Sequence, residues 1–352
     1  MKSKVYFVRL KHKQTEIISR INILLKKVWP PRIGRGDMMA IKIHFGERGN
    51  TAFIKPVYVR RVVECLKKRG VSPFLTDTNT LYKGTRSTTP VHIATALKHG
   101  FDFDTVMAPI VIADGLKGEN YREVEINRRF YKTVKIGTEI IHADALIALT
   151  HFKGHELTGF GGTLKNIGMG CACREGKLSQ HSTAAPLVHT DGCIGCGTCV
   201  ENCAFNAISI IEKRAVINPE ICTGCSQCIV VCPEGVIRIQ WNESTANVQK
   251  KIAEYALGVL KNKEEKFLCL NFLTDITPAC DCWGYSAPPI MKDIGVLASQ
   301  DPVAIDQASI DLVNADGKDR FREIYPEIDW GIQLSYGESI GMGRREYELI
   351  EI

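Results

Sequence analysis

Alternating and helical spacings of apolar residues take turns along most of this chain. Lys4–Leu10 alternates apolar and polar positions and predicts a strand. Gln14–Trp29 places Ile17, Ile21, Leu24 and Val28 at helical spacing, and Pro30-Pro31 stops it. Met38–Phe45 predicts a second strand. Pro56–Arg69 predicts a helix with Pro56 in its first turn, Val59, Val62, Val63 and Leu66 as its inward stripe, and Gly70 at its end. Phe74–Thr78 reads as a short strand, and Pro90–His99 as a helix closed by Gly100. Val106–Ala113 and Asp144–His151 are nearly all apolar, the pattern of strands buried on both faces. Further on, Val248–Leu260 predicts a helix, and Phe267–Phe272 and Ile294–Ala298 predict strands. Pro302–Val313 predicts a helix capped by Asp301 or Ser299, followed by a short helix at Ile332–Ser339 and a strand at Tyr347–Ile352. Strands alternating with helices predict an α/β fold, a mostly parallel sheet flanked by helices. Ligands of such sheets sit beyond the carboxyl ends of the strands. The residues just after Ala113 and Thr150 are therefore site candidates.

One stretch breaks this pattern. Cys193, Cys196, Cys199 and Cys203 form a C-x2-C-x2-C-x3-C run, and Cys222, Cys225, Cys228 and Cys232 repeat it, followed by Pro233. This is the ligand run of a two-cluster bacterial-type ferredoxin, in which the fourth cysteine of each run crosses to the other cluster. One [4Fe–4S] cube is then assigned to Cys193, Cys196, Cys199 and Cys232, and the other to Cys222, Cys225, Cys228 and Cys203. Two-residue gaps rich in Gly let the backbone curl around a cube and aim N–H groups at its sulfurs. A zinc pair is the competing reading of C-x2-C repeats, but two matched runs of four favour cubes. Ala204 stands where the first run commonly has proline, which is not a ligand position. The expected organisation is an α/β body built from residues 1–188 and 242–352, with a small α+β two-cluster ferredoxin domain at 189–241 inserted.

The 352 residues include fourteen cysteines and no apolar run long enough to span a membrane. The start is too short and polar for a secretion signal, so the expected location is the cytoplasm, with cysteines serving metal and redox chemistry rather than disulfides. Net charge is +6. Residues 189–241 hold five acids and three bases, so the excess positive charge lies on the body. That suits a small anionic substrate. No basic-aromatic tract supports a nucleic-acid partner.

Directly after a buried strand, residues 151–171 pack His151, Lys153, His155, Lys165, Asn166 and several glycines, Gly161 and Gly162 among them, into one stretch. Dense glycine permits close backbone approach to a ligand, and a Lys-bearing turn after a strand suits an anion. His155, Lys165 and Asp114 are the catalytic candidates. His151, Lys153, Gly161, Gly162 and Asn166, with Lys42 and His44 from the second strand, are the substrate-binding candidates. Arg86 and Lys117 are weaker ones. Two C-x-C pairs, Cys171/Cys173 and Cys280/Cys282, could together hold a third metal site, zinc or iron–sulfur, with His181 in reserve. The alternative is four unlinked thiols. Cys65 and Cys269 read as core residues. Asp301 reads as a helix cap, and Asp306, one turn on, could face a site.

Three stretches resemble the DUF362 family, often found with a ferredoxin insert: His151–Cys171, Ala108–Gly115, and Asp293–Asp306. The resemblance covers essentially the whole chain and implies an iron–sulfur protein of α/β type. It supplies no substrate. Ala113-Asp-Gly115 and His155–Gly162 are also similar to short motifs of the lactate racemase family, which implies an active-site role for His155. The resulting expectation is an electron-transfer protein. Its two [4Fe–4S] clusters, fed by a redox partner protein or another low-potential electron donor, serve a site on the body that reduces a small anionic substrate. The alternatives are a non-enzymatic electron carrier with a docking domain, and a metal-dependent isomerase or racemase with accessory clusters.

Overall fold

A computed structural model describes residues 2–11, 15–261, 263 and 265–352. Its centre is an eight-stranded sheet: β1 (Ser3–Arg9), β2 (Met38–Lys42), β3 (Ser72–Asp77), β4 (Ile110–Ile112), β5 (Ala145–His151), β6 (Phe267–Leu273), β7 (Gly295–Ser299) and β8 (Tyr347–Glu351). Across the sheet the order is β8-β1-β7-β6-β5-β2-β3-β4. Only β7 runs antiparallel to its neighbours, β1 and β6. The other pairings, from β6 through β4 and between β1 and β8, are parallel.

Alternation along the strands feeds two apolar cores. Ala145, Ile147 and Leu149 of β5 face one core with Met39 and Ile41, while Leu146 and Ala148 face the other with Ala40. The first core is closed by the helices Thr15–Val28 and Pro56–Lys68, through Ile21, Leu24, Val59 and Val62. The second is closed by Thr245–Lys261 and Pro302–Val313. Helices on both faces explain why the central strands are apolar throughout. Cys65 is buried in the first core and Cys269 in the second. No helix among the described residues is long and apolar enough to cross a membrane.

Most predicted elements stand within a residue or three of their expected bounds. Gln14, the expected start of the first helix, lies outside the described residues. Val106–Ala113 is corrected. Phe103–Val106 is a helical turn, because the Asp102 side chain accepts from the Thr105 N–H at 2.8 Å, and Met107 ends it with φ 61°. Only Ile110–Ile112 is left as strand. The expected loop at 151–171 is also more ordered than its glycines suggest. It holds the hairpin Lys153–His155/Gly159–Gly161 and the helix Thr163–Gly168. Asp306 does not face a site. Buried, it accepts from the Thr163 and Leu164 N–H groups at 2.7 and 2.9 Å, tying the start of that helix to Pro302–Val313. A Cβ on Gly162 would lie 2.4 Å from the Asp306 carboxylate, so only glycine fits. Asp301 caps Pro302–Val313 through the Val303 and Ala304 N–H groups.

The cysteine runs lie on an excursion whose two ends meet: Leu187–Val188 pairs antiparallel with Ile237–Arg238. Between them are a hairpin, Ile208–Ile211 with Arg214–Ile217, and two short helices, Thr198–Glu201 and Gln227–Val231. The segment has a small apolar core that includes Leu81 and Leu178 of the body.

Candidate active site and two cysteine cradles

Strand order reverses at β2: the chain proceeds from β2 to β3 and β4 on one side, then places β5 on the other. That is a topological switch point, where a crevice opens at the carboxyl ends. A cavity of about 310 Å³ lies there. Eight of the ten residues picked from sequence as catalytic or substrate-binding line it: Lys42, His44, Lys153, His155, Gly161, Gly162, Lys165 and Asn166. Its lining also includes Lys177 and Arg86, so five cations face only two carboxylates, Asp77 and Glu156.

Lys42 ends β2 and Asp77 ends β3, and their side chains meet at 3.0 Å with both nearly inaccessible. Lys42 also donates to the Asn166 side-chain oxygen at 2.8 Å, and Asn166 donates in turn to the Leu149 carbonyl and the Thr150 hydroxyl, each at 3.0 Å. Burial opposes charge on Asp77, yet Lys42, His92, His44 and Lys177 around it hold its carboxyl well below the usual range. His44 is the reverse case. Burial, aided by Arg86, pushes it well below the usual imidazole range. The Gly46 N–H donates to its Nδ1 at 3.0 Å, so the proton of the neutral ring sits on Nε2. Arg86 is committed to the wall: its guanidinium reaches Glu47 at 3.2 Å and the Tyr82 hydroxyl at 2.9 Å. Burial lowers Lys177 to about 8 despite Asp114 and Asp77 nearby, and its ammonium donates to Thr78 and to the Asn79 carbonyl.

The opposite wall is the Cys280-Asp281-Cys282 turn, closed by the Trp283 N–H on the Cys280 carbonyl at 3.2 Å. Asp281 is its anchor. Both its oxygens lie 2.9 Å from His151 Nδ1, and Lys153 Nζ lies 3.3 Å away. The second ring nitrogen of His151 faces the Thr274 and Asp275 carbonyls at 3.0 and 3.1 Å. His151 thus supports the wall and does not line the cavity. Cys280 and Cys282 do line it, beside His155 and Lys165. The neighbouring Cys282, together with Lys165 and His155, holds the Cys280 sulfur well below the ordinary thiol range against burial. Lys165 has no carboxylate within ion-pair distance among the described residues, which leaves it available to a ligand.

Asp114 stands apart from this cavity. It is buried, accepts from the Asn79 backbone and side-chain N–H groups at 2.8–3.1 Å, and orders the turn after β3. Burial, only partly offset by Lys177, pushes its carboxyl up to about 6. Asp114 is thus held away from the cavity, whereas Asp77 lines it. Lys117 is exposed. The two C-x-C pairs are not brought together. Burial pushes both Cys171 and Cys173 up to about 12, and neither lines the cavity. The Cys173 sulfur instead accepts from the Gly176 N–H and caps the helix Arg174–His181. His181 lines the cavity, and burial lowers it to about 3.

Two smaller cavities lie in the excursion. Cys193, Cys196, Cys199 and Cys232 line one, and Cys203, Cys222, Cys225 and Cys228 line the other. Each thus takes three cysteines from one run and the fourth from the other. Backbone N–H groups point at the sulfurs: Ala215 at Cys193 and Ala207 at Cys203, both at 3.3 Å. Gly195 takes φ 66°, and a Cβ there would lie 2.5 Å from the Lys213 carbonyl. The body grips this segment at the cavity's edge. Arg174, wholly buried, donates to the Gln227 side chain at 2.7 Å and to the Thr80 carbonyl at 3.2 Å. Gln227 lines the second cradle and Thr80 lines the larger cavity. Tyr82 lines that cavity, packs against the excursion's core, and donates to the Cys282 carbonyl at 3.2 Å.

The model of the family described as "Domain of unknown function (DUF362)" matches residues 39–311. No curated protein matches the chain. Among solved structures, the lactate racemase apoprotein from Thermoanaerobacterium thermosaccharolyticum aligns at 14% identity and a TM-score of 0.39, over 78% of this chain and 51% of that one. A structural-genomics protein from Thermotoga maritima aligns at 10% identity and a TM-score of 0.45, over 90% of this chain and 59% of that one. The chain thus spans between half and three-fifths of the length of either structure.

Proposed function

The chain belongs to the DUF362 family, and from that premise we propose that it is an iron–sulfur redox protein in which a ferredoxin-like insert serves a reductive site on the α/β body. The observation that carries this reading is the exchange of fourth cysteines between the two cradles. Zinc has no need of it, whereas two cubes in a bacterial-type ferredoxin are bound that way. Cys193, Cys196, Cys199 and Cys232 would hold one cube, and Cys222, Cys225, Cys228 and Cys203 the other. When bound, such cubes supply one-electron transfer at low potential.

The residues of the body then have distinct tasks. Lys165, Lys153 and Lys177 draw a small anion into the cavity, and Lys42 holds Asn166 in place from below. His155 stands where it can pass a proton to a bound substrate. Tyr82 and Arg174 bridge the short distance from the excursion to the cavity wall. A cavity with convergent polar groups weighs against a carrier whose body only docks partners.

Anaerobically purified protein should carry about eight irons and matching sulfide. Cys203→Ser should perturb the cube of the second run and leave the other's spectrum unchanged. Loss confined to the first run's cube would refute the exchange, and zinc in place of iron would refute the reading. Substituting His155 or Lys165 should abolish substrate-dependent reoxidation while cluster absorbance persists. Isomerisation of a small anion is a second reading that the cavity accommodates, because His44 and His155 both line it. It requires turnover to continue with the cubes held oxidised.

A further inference from the structure

We propose that Cys280 and Cys282 form a redox-active dithiol that receives an electron pair and passes it to a small anionic disulfide bound in the cavity. Three features of the turn support this. Both cysteines line the same cavity, one residue apart in the chain. The two cysteines sit in one tight turn, closed by the Trp283 N–H on the Cys280 carbonyl at 3.2 Å, and flank the single residue Asp281. The backbone of the turn is fixed from several sides: Asp281 by His151 and Lys153, the Asp281 carbonyl by the Glu47 N–H at 3.0 Å, and the Cys282 carbonyl by Tyr82. A short-loop disulfide on a fixed turn is strained and therefore easily reduced, the property of catalytic rather than structural bridges. Lys165 and His155 beside Cys280 favour its thiolate, the attacking form.

The chemistry balances as thiol–disulfide exchange. The Cys280 thiolate attacks one sulfur of the acceptor, and the acceptor's other half leaves as a thiolate. The Cys282 thiolate then attacks the Cys280 sulfur, forming the Cys280–Cys282 bond and releasing the second half. Two electrons and two protons restore the dithiol. Resting on the redox reading above, the reductant is a low-potential iron–sulfur donor used twice. The positive cavity selects acceptors that carry carboxylates.

The test uses the anaerobic, cluster-loaded protein. It is exposed to dithiodipropionate, a dianionic disulfide, or to neutral hydroxyethyl disulfide, quenched with iodoacetamide and mapped by mass. The tryptic segment Phe267–Lys292 contains Cys269, Cys280 and Cys282. Oxidation should remove two hydrogens from it, dithionite should restore them, and Cys269 should stay unlinked. The dianion should react at least ~10-fold faster than the neutral disulfide, and Lys165→Gln should erase that preference. Cys282→Ser should stop at a mixed disulfide on Cys280, which keeps the test informative if Cys280→Ser fails to fold. A segment that remains two free thiols throughout, or equal rates for both disulfides, overturns the proposal. Iron content and cluster spectra are read on the same samples. An inert turn with intact cubes therefore refutes this inference alone, and a cycling turn without iron refutes only the redox reading.

Discussion

Asp281→Asn should be the most damaging conservative change in the cavity wall. The carboxylate is inaccessible, and so is most of Lys153, whose ammonium lies 3.3 Å away. The amide keeps the shape but removes the charge, leaving a buried cation with only neutral acceptors in hydrogen-bond reach, the His151 carbonyl at 2.9 Å and the new amide oxygen. Breaking a buried pair in this way costs about 3–5 kcal/mol. Unfolding entropy near 2.1 cal/mol/K per residue over 352 residues amounts to about 0.7 kcal/mol/K, so the melting temperature should fall by about 4–7 °C. The decisive measurement is a double-mutant cycle. If the penalty comes from the uncompensated ammonium, Asp281→Asn/Lys153→Met should recover at least about 2 kcal/mol relative to Asp281→Asn. Anaerobic thermal and denaturant melts of the four proteins supply the energies. Additive losses, with no coupling between the two positions, would refute the charge argument and leave Asp281 as a simple hydrogen-bond acceptor.

Two further expectations concern pH. Lys177 is charged below about 8 and neutral above it, so affinity for a small anion should be full on the acid side of pH 8 and decline above it. Isothermal titration with an anionic ligand should show that decline in wild type and a flatter profile in Lys177→Gln. His92 is fully buried, with no hydrogen-bond partner at either ring nitrogen, and burial lowers it to about 3. Its folded-state value lies below the unfolded 6.5, so the stability it contributes is complete above pH 6.5 and lost as pH falls toward 3. At pH 5 the loss is about 2 kcal/mol. His92→Phe, which keeps a ring against Phe45, should melt with a smaller difference between pH 7.5 and 5 than wild type; an unchanged difference would acquit His92.

The sheet could be read from the chain because each central strand repeats apolar residues on both faces and each flanking helix shows a 3.6-residue stripe. The hairpin Tyr121–Glu125/Thr133–Gly137 could not. Its first strand, Tyr-Arg-Glu-Val-Glu, is half exposed and charged, without a stripe to mark it. Lys153, His155 and Lys165 of the cavity are legible because glycine crowds them after a buried strand. Asp77 carries no such mark, because one acid near the end of the expected strand Phe74–Thr78 looks like a solvent-facing residue; its clue is the apolar Phe74-Leu75 pair just before it at a carboxyl edge. Lys177 sits on a helix with no apolar stripe, and only tertiary contact reveals its burial. Asp281 looks in sequence like the mere spacer of a C-x-C pair, although it is the residue that fixes the turn. Asp114 shows the opposite: its place after an apolar strand suggests a ligand, while its carboxylate accepts from Asn79.

The sheet order also dictates a sequence of events during synthesis. β1 is made first, yet its two neighbours, β7 and β8, come from residues 295–299 and 347–351. The Cys280 wall of the cavity is likewise made after all eight cradle cysteines have emerged. Assembly therefore cannot run from one end to the other. The cysteine-rich excursion, with its paired ends and its own small core, reaches its cradles while β1 still waits and the cavity lacks its far wall. Completion of the cysteine-rich excursion and closure of the body's cavity are thus separated in time by the chain's own connectivity.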